Sequence, residues 1–82
     1  MAETALDAIH QIISELKEDR AIPRNVIARL EHMEEIFQND EEDLYIKVDK
    51  ALQIIDEIIE DTNLQPFIRT KLLNICSLLE SI

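Results

Sequence analysis

Apolar residues recur at the period of an α-helix along the whole chain, in four stripes separated by three short interruptions. Leu6, Ile9, Ile13 and Leu16 stand at i, i+3, i+7 and i+10, which is one face of a first helix. Val26, Ile27, Leu30, Met33, Ile36 and Phe37 form a second stripe. Leu44, Val48, Ala51, Leu52, Ile55, Ile58 and Ile59 form the third, and Ile68, Leu72, Ile75, Cys76 and Leu79 the fourth, which ends near Ile82. Nowhere is the period-two alternation of a half-buried strand sustained. The chain also has no glycine. A phosphate-binding loop, a dinucleotide fingerprint, a nucleophile elbow and an EF-hand loop all need glycine at fixed places, so these are excluded.

The interruptions place the helix ends. Thr4 is expected to cap the first helix, with Asp7 three residues on in a weak form of the capping box. Asp19-Arg20-Ala21-Ile22 breaks the first stripe, and Pro23 is expected as the first residue of the second helix, where its missing N–H is unpaired anyway. Asn39-Asp40 ends the second helix, and either is expected to cap the third. The third helix is then expected to begin within Asp40, Glu41, Glu42 and Asp43, whose carboxylates suit the positive end of its dipole. Asp61-Thr62-Asn63-Leu64 breaks the third stripe, and Pro66 restarts the chain.

A shift of 42 residues lays one half of the sequence on the other without a gap. Ile12-Ile13 falls on Ile54-Ile55, Leu16 on Ile58, Glu18-Asp19 on Glu60-Asp61, Ile22 on Leu64 and Val26 on Ile68. Leu30 falls on Leu72, Met33 on Ile75, and Ile36-Phe37 on Leu78-Leu79. The turn match, Glu-Asp-x-x-aliphatic, is the informative part, because core positions match whenever two helices share a period. Pro23 and Pro66 are one place out of register. The pattern reads as an internal duplication of a helical hairpin, one over about 4–38 and one over about 41–82, with a period near that of HEAT-type repeats. Solenoids usually stack three or more repeats, so two hairpins are expected to close on each other. The expected fold is one all-α domain over 1–82, a four-helix antiparallel up-and-down bundle. The turns at Asp19 and Asp61 then share one pole, and the termini share the other with Asp40 to Asp43.

Two turn segments carry a family resemblance. Ile22-Pro23-Arg24-Asn25-Val26 after an acidic helix end, and Asp61-Thr62-Asn63-Leu64 followed by Arg69-Thr70, resemble a family of small archaeal proteins of unknown function, the uncharacterised family numbered 0147. The resemblance runs over nearly the whole chain, and outside the two turns it is generic amphipathic helix. The second turn departs from the family pattern, whose proline stands where this chain has Gln65. The resemblance implies a helical bundle and an archaeal origin. It implies no activity and supplies no functional residues.

Charge and composition narrow what such a bundle can do. Eighteen acids against eight bases leave a formal charge of -10, which argues against binding nucleic acid. No apolar run reaches the roughly 18 residues of a membrane span, and Met1-Ala2-Glu3-Thr4 lacks the basic start of a signal peptide. The single cysteine excludes an internal disulfide or a paired-cysteine zinc site and fits a reducing compartment. A cytoplasmic protein is the expectation.

No group of residues assembles a reaction. His10 has Asp7 three residues before it and His32 has Arg29, so neither forms the Glu-x-x-His pair of a bundle metal site. Both histidines lie at the edges of their stripes. Cys76 lies on the fourth stripe with no histidine near it in sequence and is expected to pack as a small apolar side chain. The acid run Asp40 to Asp43 is consecutive and lacks the glycine turn of a calcium loop. Ser14, Ser77 and Ser81 sit within helices, and Tyr45, Phe37 and Phe67 are too scattered for base stacking. No catalytic residue, cofactor or metal is expected.

Three surfaces remain as candidates for contact with a partner. The segment from Glu31 to Asp43 holds seven acids and no lysine or arginine. With Glu3, Glu80 and the terminal carboxylate it makes an acidic pole suited to a basic partner protein, centred on Asp40, Glu41, Glu42 and Asp43. At the opposite pole Lys17, Arg20, Arg24, Arg69 and Lys71 mix with Glu15, Glu18, Asp19, Glu57, Glu60 and Asp61. Local pairing accounts for most of these, with Asp19 and Asp61 each expected to hold the start of the following helix, and Arg24, Asn25 and Arg69 are left as a small polar contact surface. Ile46, Ile54 and Ile59 on the third helix, with Leu73 and Leu78 on the fourth, exceed what one core face needs. They suggest either a more central helix pair or a homodimer face. The expected function is a non-enzymatic protein–protein interaction module, the alternative being a structural homodimer or a subunit of a larger complex.

Overall fold

A computed structural model describes the backbone of residues 2–82 and the side chains from Thr4 onward. Four helices account for it: α1 (Ala2–Glu18), α2 (Arg24–Gln38), α3 (Leu44–Ile59) and α4 (Pro66–Glu80). No strand occurs among the described residues. The molecule measures 34 × 19 × 19 Å. That is one helix in length and two helices in each cross-section, since helices of this length span about 25 Å and pack about 8–10 Å apart. α1 packs on α2 and α4, and α3 packs on the same two, so the helices form a ring of four seams. Successive helices run antiparallel, and α1 lies diagonally opposite α3.

The core is built in layers, and the layers obey the 42-residue shift. Ile9, Ile13, Leu16, Ile22, Val26, Leu30 and Met33 are buried, and so are Ala51, Ile55, Ile58, Leu64, Ile68, Leu72 and Ile75. Each residue of the first set stands 42 before its counterpart in the second. Ala5 is also buried, and its counterpart is Lys47, the one buried charged residue among those described. Lys47 donates from Nζ to the carbonyl of Phe37 at 3.5 Å, in the last turn of α2. A cation there meets the negative end of the helix dipole while its stem lies along apolar neighbours.

The connecting turns are tied by short polar side chains. Asp19 Oδ1 accepts from the Ala21 N–H at 2.9 Å, and Asp61 Oδ1 accepts from the Asn63 N–H at 2.9 Å. In both turns the aspartate N–H donates back into the preceding helix, to Leu16 or Ile58, and its carbonyl accepts from Ile22 or Leu64. Asp19 and Asp61 therefore organise the turns and do not hold the following helices. Those begin behind Pro23 and Gln65, which stand 42 apart and occupy the cap position without a side-chain hydrogen bond. The proline offset costs nothing, because Pro23 serves as the cap and Pro66 as the first helical residue.

Three helix starts differ from expectation. α1 already runs at Ala2, so Thr4 lies inside its first turn and caps nothing. Pro23 precedes α2 instead of opening it. Asp43, not Asn39 or Asp40, caps α3, its Oδ1 accepting from the Tyr45 N–H at 3.0 Å. Asn39 instead closes a turn on the Glu41 N–H at 3.0 Å, which keeps residues 39–43 out of the helix. The acid run is therefore a loop before α3, and only Asp43 sits at the helix terminus.

Candidate functional site

The four seams are similar in geometry and different in chemistry. Between α1 and α2 the helices leave a cleft of about 140 Å³ lined by Leu6, Ile9, His10, Ile13, Glu34 and Phe37. Glu34 joins the two helices across its mouth. Its Oε1 accepts from Lys17 Nζ at 2.8 Å, and its Oε2 stands 3.4 Å from His10 Nδ1. The hydrogen bond to Glu34 holds the Lys17 ammonium above the usual lysine range. Lys17, at the C-terminal end of α1, also suits the negative end of that helix. The cleft is too small for a drug-sized ligand, which needs about 300 Å³ or more. The cluster reads as a polar closure of the α1/α2 seam, with exposed members that add little stability.

The α3/α4 seam carries different residues at the same places. His10, Lys17 and Glu34 correspond at a shift of 42 to Leu52, Ile59 and Cys76, and Glu31 corresponds to Leu73. Leu52, Ile59 and Cys76 are partly buried against the core, and Leu73 is 52% exposed. Leu73 and Cys76 are neighbours on one face of α4, and Leu52 and Ile59 lie two turns apart on one face of α3. The result is an apolar strip along this seam. Of the apolar excess expected on α3 and α4, Ile54, Ile59 and Leu78 pack against the core, whereas Ile46 and Leu73 stand largely in solvent. Tyr45 and Phe67, not foreseen as surface contacts, are 70% and 43% exposed.

Cys76 is half-buried in this strip. Burial raises its thiol pKa, and the nearby carboxylates of Asp56 and Glu80 raise it further by disfavouring a second anion. The thiolate is the reactive form, so this setting is the opposite of a nucleophile's. At pH 7.5, Cys76 in the folded protein is expected to react with an aromatic disulfide reagent at least about fivefold more slowly than in the chain unfolded by urea. Equal rates, read from the released chromophore, would contradict this environment.

The poles divide the other candidate residues. In the acid loop Asp40, Glu41 and Asp43 are exposed, but Asp43 is spent as a cap. Glu42 Oε1 accepts from Lys50 Nζ at 2.6 Å, while its Oε2 is covered and has no partner among the described residues. Glu80 shares this pole through the end of α4, whereas the side chain of Glu3 lies outside the described residues. At the other pole Arg69 is not free for a partner. Its Nη1 donates to the Ile59 carbonyl at 3.0 Å and its Nη2 to the Asp61 carbonyl at 3.3 Å, closing the C-terminal end of α3. Arg24 and Asn25 remain exposed. Asn25 lines a polar groove of about 310 Å³ between α2 and α3, bridged by the Arg29–Glu57 ion pair. Lys71 and Glu15 stand 4.0 Å apart at the corresponding place between α4 and α1.

His10 and His32 are both exposed, and His32 lies 3.9 Å from Glu35 one turn away. Among the described residues no three His, Cys, Asp or Glu side chains are placed to hold a metal ion, and no helix is long and apolar enough to cross a membrane.

Comparison with known proteins agrees with this architecture. A family model described as an uncharacterised protein family, UPF0147, matches residues 1–82. A UPF0147 protein of Methanothermobacter thermautotrophicus is 33% identical over 82 residues, covering 100% of this chain and 80% of that protein. A UPF0147 protein of Pyrococcus furiosus is 35% identical over 80 residues, covering 93% of this chain and 86% of that one. The crystal structure of a protein of unknown function, MMP1188, superposes with a TM-score of 0.87 at 33% identity, covering 95% of this chain and 89% of that chain.

Proposed function

The chain belongs to the uncharacterised protein family UPF0147, and from its surface we propose that it is a non-enzymatic protein–protein interaction module of the cytoplasm. One observation carries the reading. The core is closed on all four seams, yet large apolar side chains, Leu73 and Ile46 among them, stand about half in solvent. Where exposed and half-buried apolar side chains adjoin, as Leu73 and Cys76 do on α4, they mark a surface of contact. The formal charge of -10 favours a basic partner over an acidic one.

Affinity capture of the tagged protein from its native lysate, at low and at moderate salt, tests the reading. The expected result is a reproducible basic protein that remains bound when exposed charges are screened. Recovery of the protein alone, with a dimer mass in solution, would favour a structural homodimer instead. Recovery of nothing, with a monomer mass, would overturn both.

A further inference from the structure

The two seams formed within hairpins, α1/α2 and α3/α4, are an internal control on each other. Their flanking core residues match one for one and are buried alike. At the outer rows, however, one seam carries His10, Lys17, Glu31 and Glu34, and the other carries Leu52, Ile59, Leu73 and Cys76. The first seam shows that the bundle closes with polar residues there. Packing therefore does not require the apolar ones.

The border of the apolar seam is mostly acidic. Asp49 and Asp56 stand two turns apart on the outer face of α3, and both are exposed. Glu80 borders the α4 side, and both Asp56 and Glu80 act on the Cys76 thiol, which places them at the seam. Of the bases of α3 and α4, the three lysines point to other partners, and Arg69 closes one end of the seam. Lys47 donates to the Phe37 carbonyl, Lys50 to Glu42, Arg69 to the end of α3, and Lys71 stands by Glu15. The complementary occupant is apolar in the middle and positive at the edges.

We propose that the α3/α4 seam is a docking groove for an amphipathic helix of a partner protein whose apolar stripe is flanked by lysine or arginine. Helix-in-groove recognition of this kind reads anchors at i, i+3, i+4 and i+7, and antiparallel α3 and α4 supply the two walls. This inference rests on the interaction-module reading above and adds the place and the partner's chemistry.

The probe is a leucine–lysine peptide of about 18 residues with leucines at helical spacing, titrated into the ¹⁵N-labelled protein beside its leucine–glutamate counterpart. The expected result is binding of the lysine peptide that persists at about 0.3 M salt. Amide shift changes are expected to concentrate in residues 49–60 and 69–80. The glutamate peptide is expected to bind at least about tenfold more weakly. Leu73→Glu is the decisive variant, because Leu73 is exposed enough for the bundle to fold with the substitution. It adds a negative charge, so a purely electrostatic association would tighten. Docking on the apolar strip instead predicts an affinity loss of at least about tenfold. Glu31→Lys, at the matching place on the other seam, is expected to leave binding within about twofold.

Unchanged or tighter binding by Leu73→Glu, or shift changes centred on residues 39–43, would overturn the proposal. So would a dimer in solution that Leu73→Glu dissociates. A photo-crosslinking residue placed at Leu73 and, separately, at Asp40 in the full chain distinguishes this failure from that of the parent reading. Cross-links to another protein from Asp40 alone would overturn the seam and keep the module. Cross-links from neither would overturn both.

Discussion

Leu72→Ala lowers the free energy of unfolding by about 2–5 kcal/mol, and Leu30→Ala lowers it by the same amount to within about 1 kcal/mol. Both leucines have 0% of their surface exposed. They stand 42 residues apart, on α4 and α2, in a layer shared with Ile13 and Ile55. Truncation removes three carbons, a methine and two methyls, from a site walled on every side, so the loss combines transfer energy with a cavity. Domains of this size are marginal, with about 5–15 kcal/mol available to small proteins in general. At roughly 4–8 °C per kcal/mol the thermal midpoint falls by about 8–40 °C. Urea unfolding and thermal unfolding, each followed by far-ultraviolet circular dichroism, measure the two quantities. Losses differing by more than about 2 kcal/mol would show that the two halves do not pack equivalently in this layer. Leu73→Ala on the exposed seam, by contrast, is expected to stay within about 0.5 kcal/mol of the parent.

The exchange of Ile9 and Ala51 gives the second large effect. These residues occupy equivalent places on the diagonal helices α1 and α3, and both are buried, at 2% and 0% exposure. One position is large and the other small. Ile9→Ala is expected to cost about 2–5 kcal/mol by leaving a cavity. Ala51→Ile is expected to cost about 1–3 kcal/mol by overfilling. The double variant restores the layer's volume with the bulk on the other helix. Its loss is expected to fall short of the sum by about 0.5–3 kcal/mol. Simple additivity in a thermal or urea double-mutant cycle would mean that the two side chains do not share one space.

Periodicity made the helices and the core legible, because a buried face is a repeating property of the sequence. Leu30, Ile55 and Leu72 follow from spacing alone. The helix starts were less legible. Between Asn39 and Asp43 every residue can accept a hydrogen bond from a backbone N–H. Asp43 caps α3 because Asn39 already closes a turn on Glu41, a choice that short-range rules leave open. The α1/α2 polar cluster depended on contacts across the fold. Glu34 meets Lys17 and His10 over separations of 17 and 24 residues, which no local window contains. One signal was available. Laying the halves over each other sets Lys17 on Ile59 and Glu34 on Cys76, a change from charge to hydrocarbon at places that should pack alike. Arg69 illustrates the opposite error. Its position near a turn suggested a free contact, while its donors were within reach of the Ile59 and Asp61 carbonyls, where α3 ends.

The ring of helices has four sides, and the backbone spans three of them. α4 and α1 meet by packing alone, with the start of one and the end of the other at the same pole. The core therefore holds no record of where the polypeptide is interrupted. A permuted gene, joined across the α4–α1 side by a short linker and opened within residues 39–43, would exchange the order of the hairpins without displacing a buried residue. The fold of this protein belongs to the cycle of its helices, and their linear order along the chain is only one way of reading it.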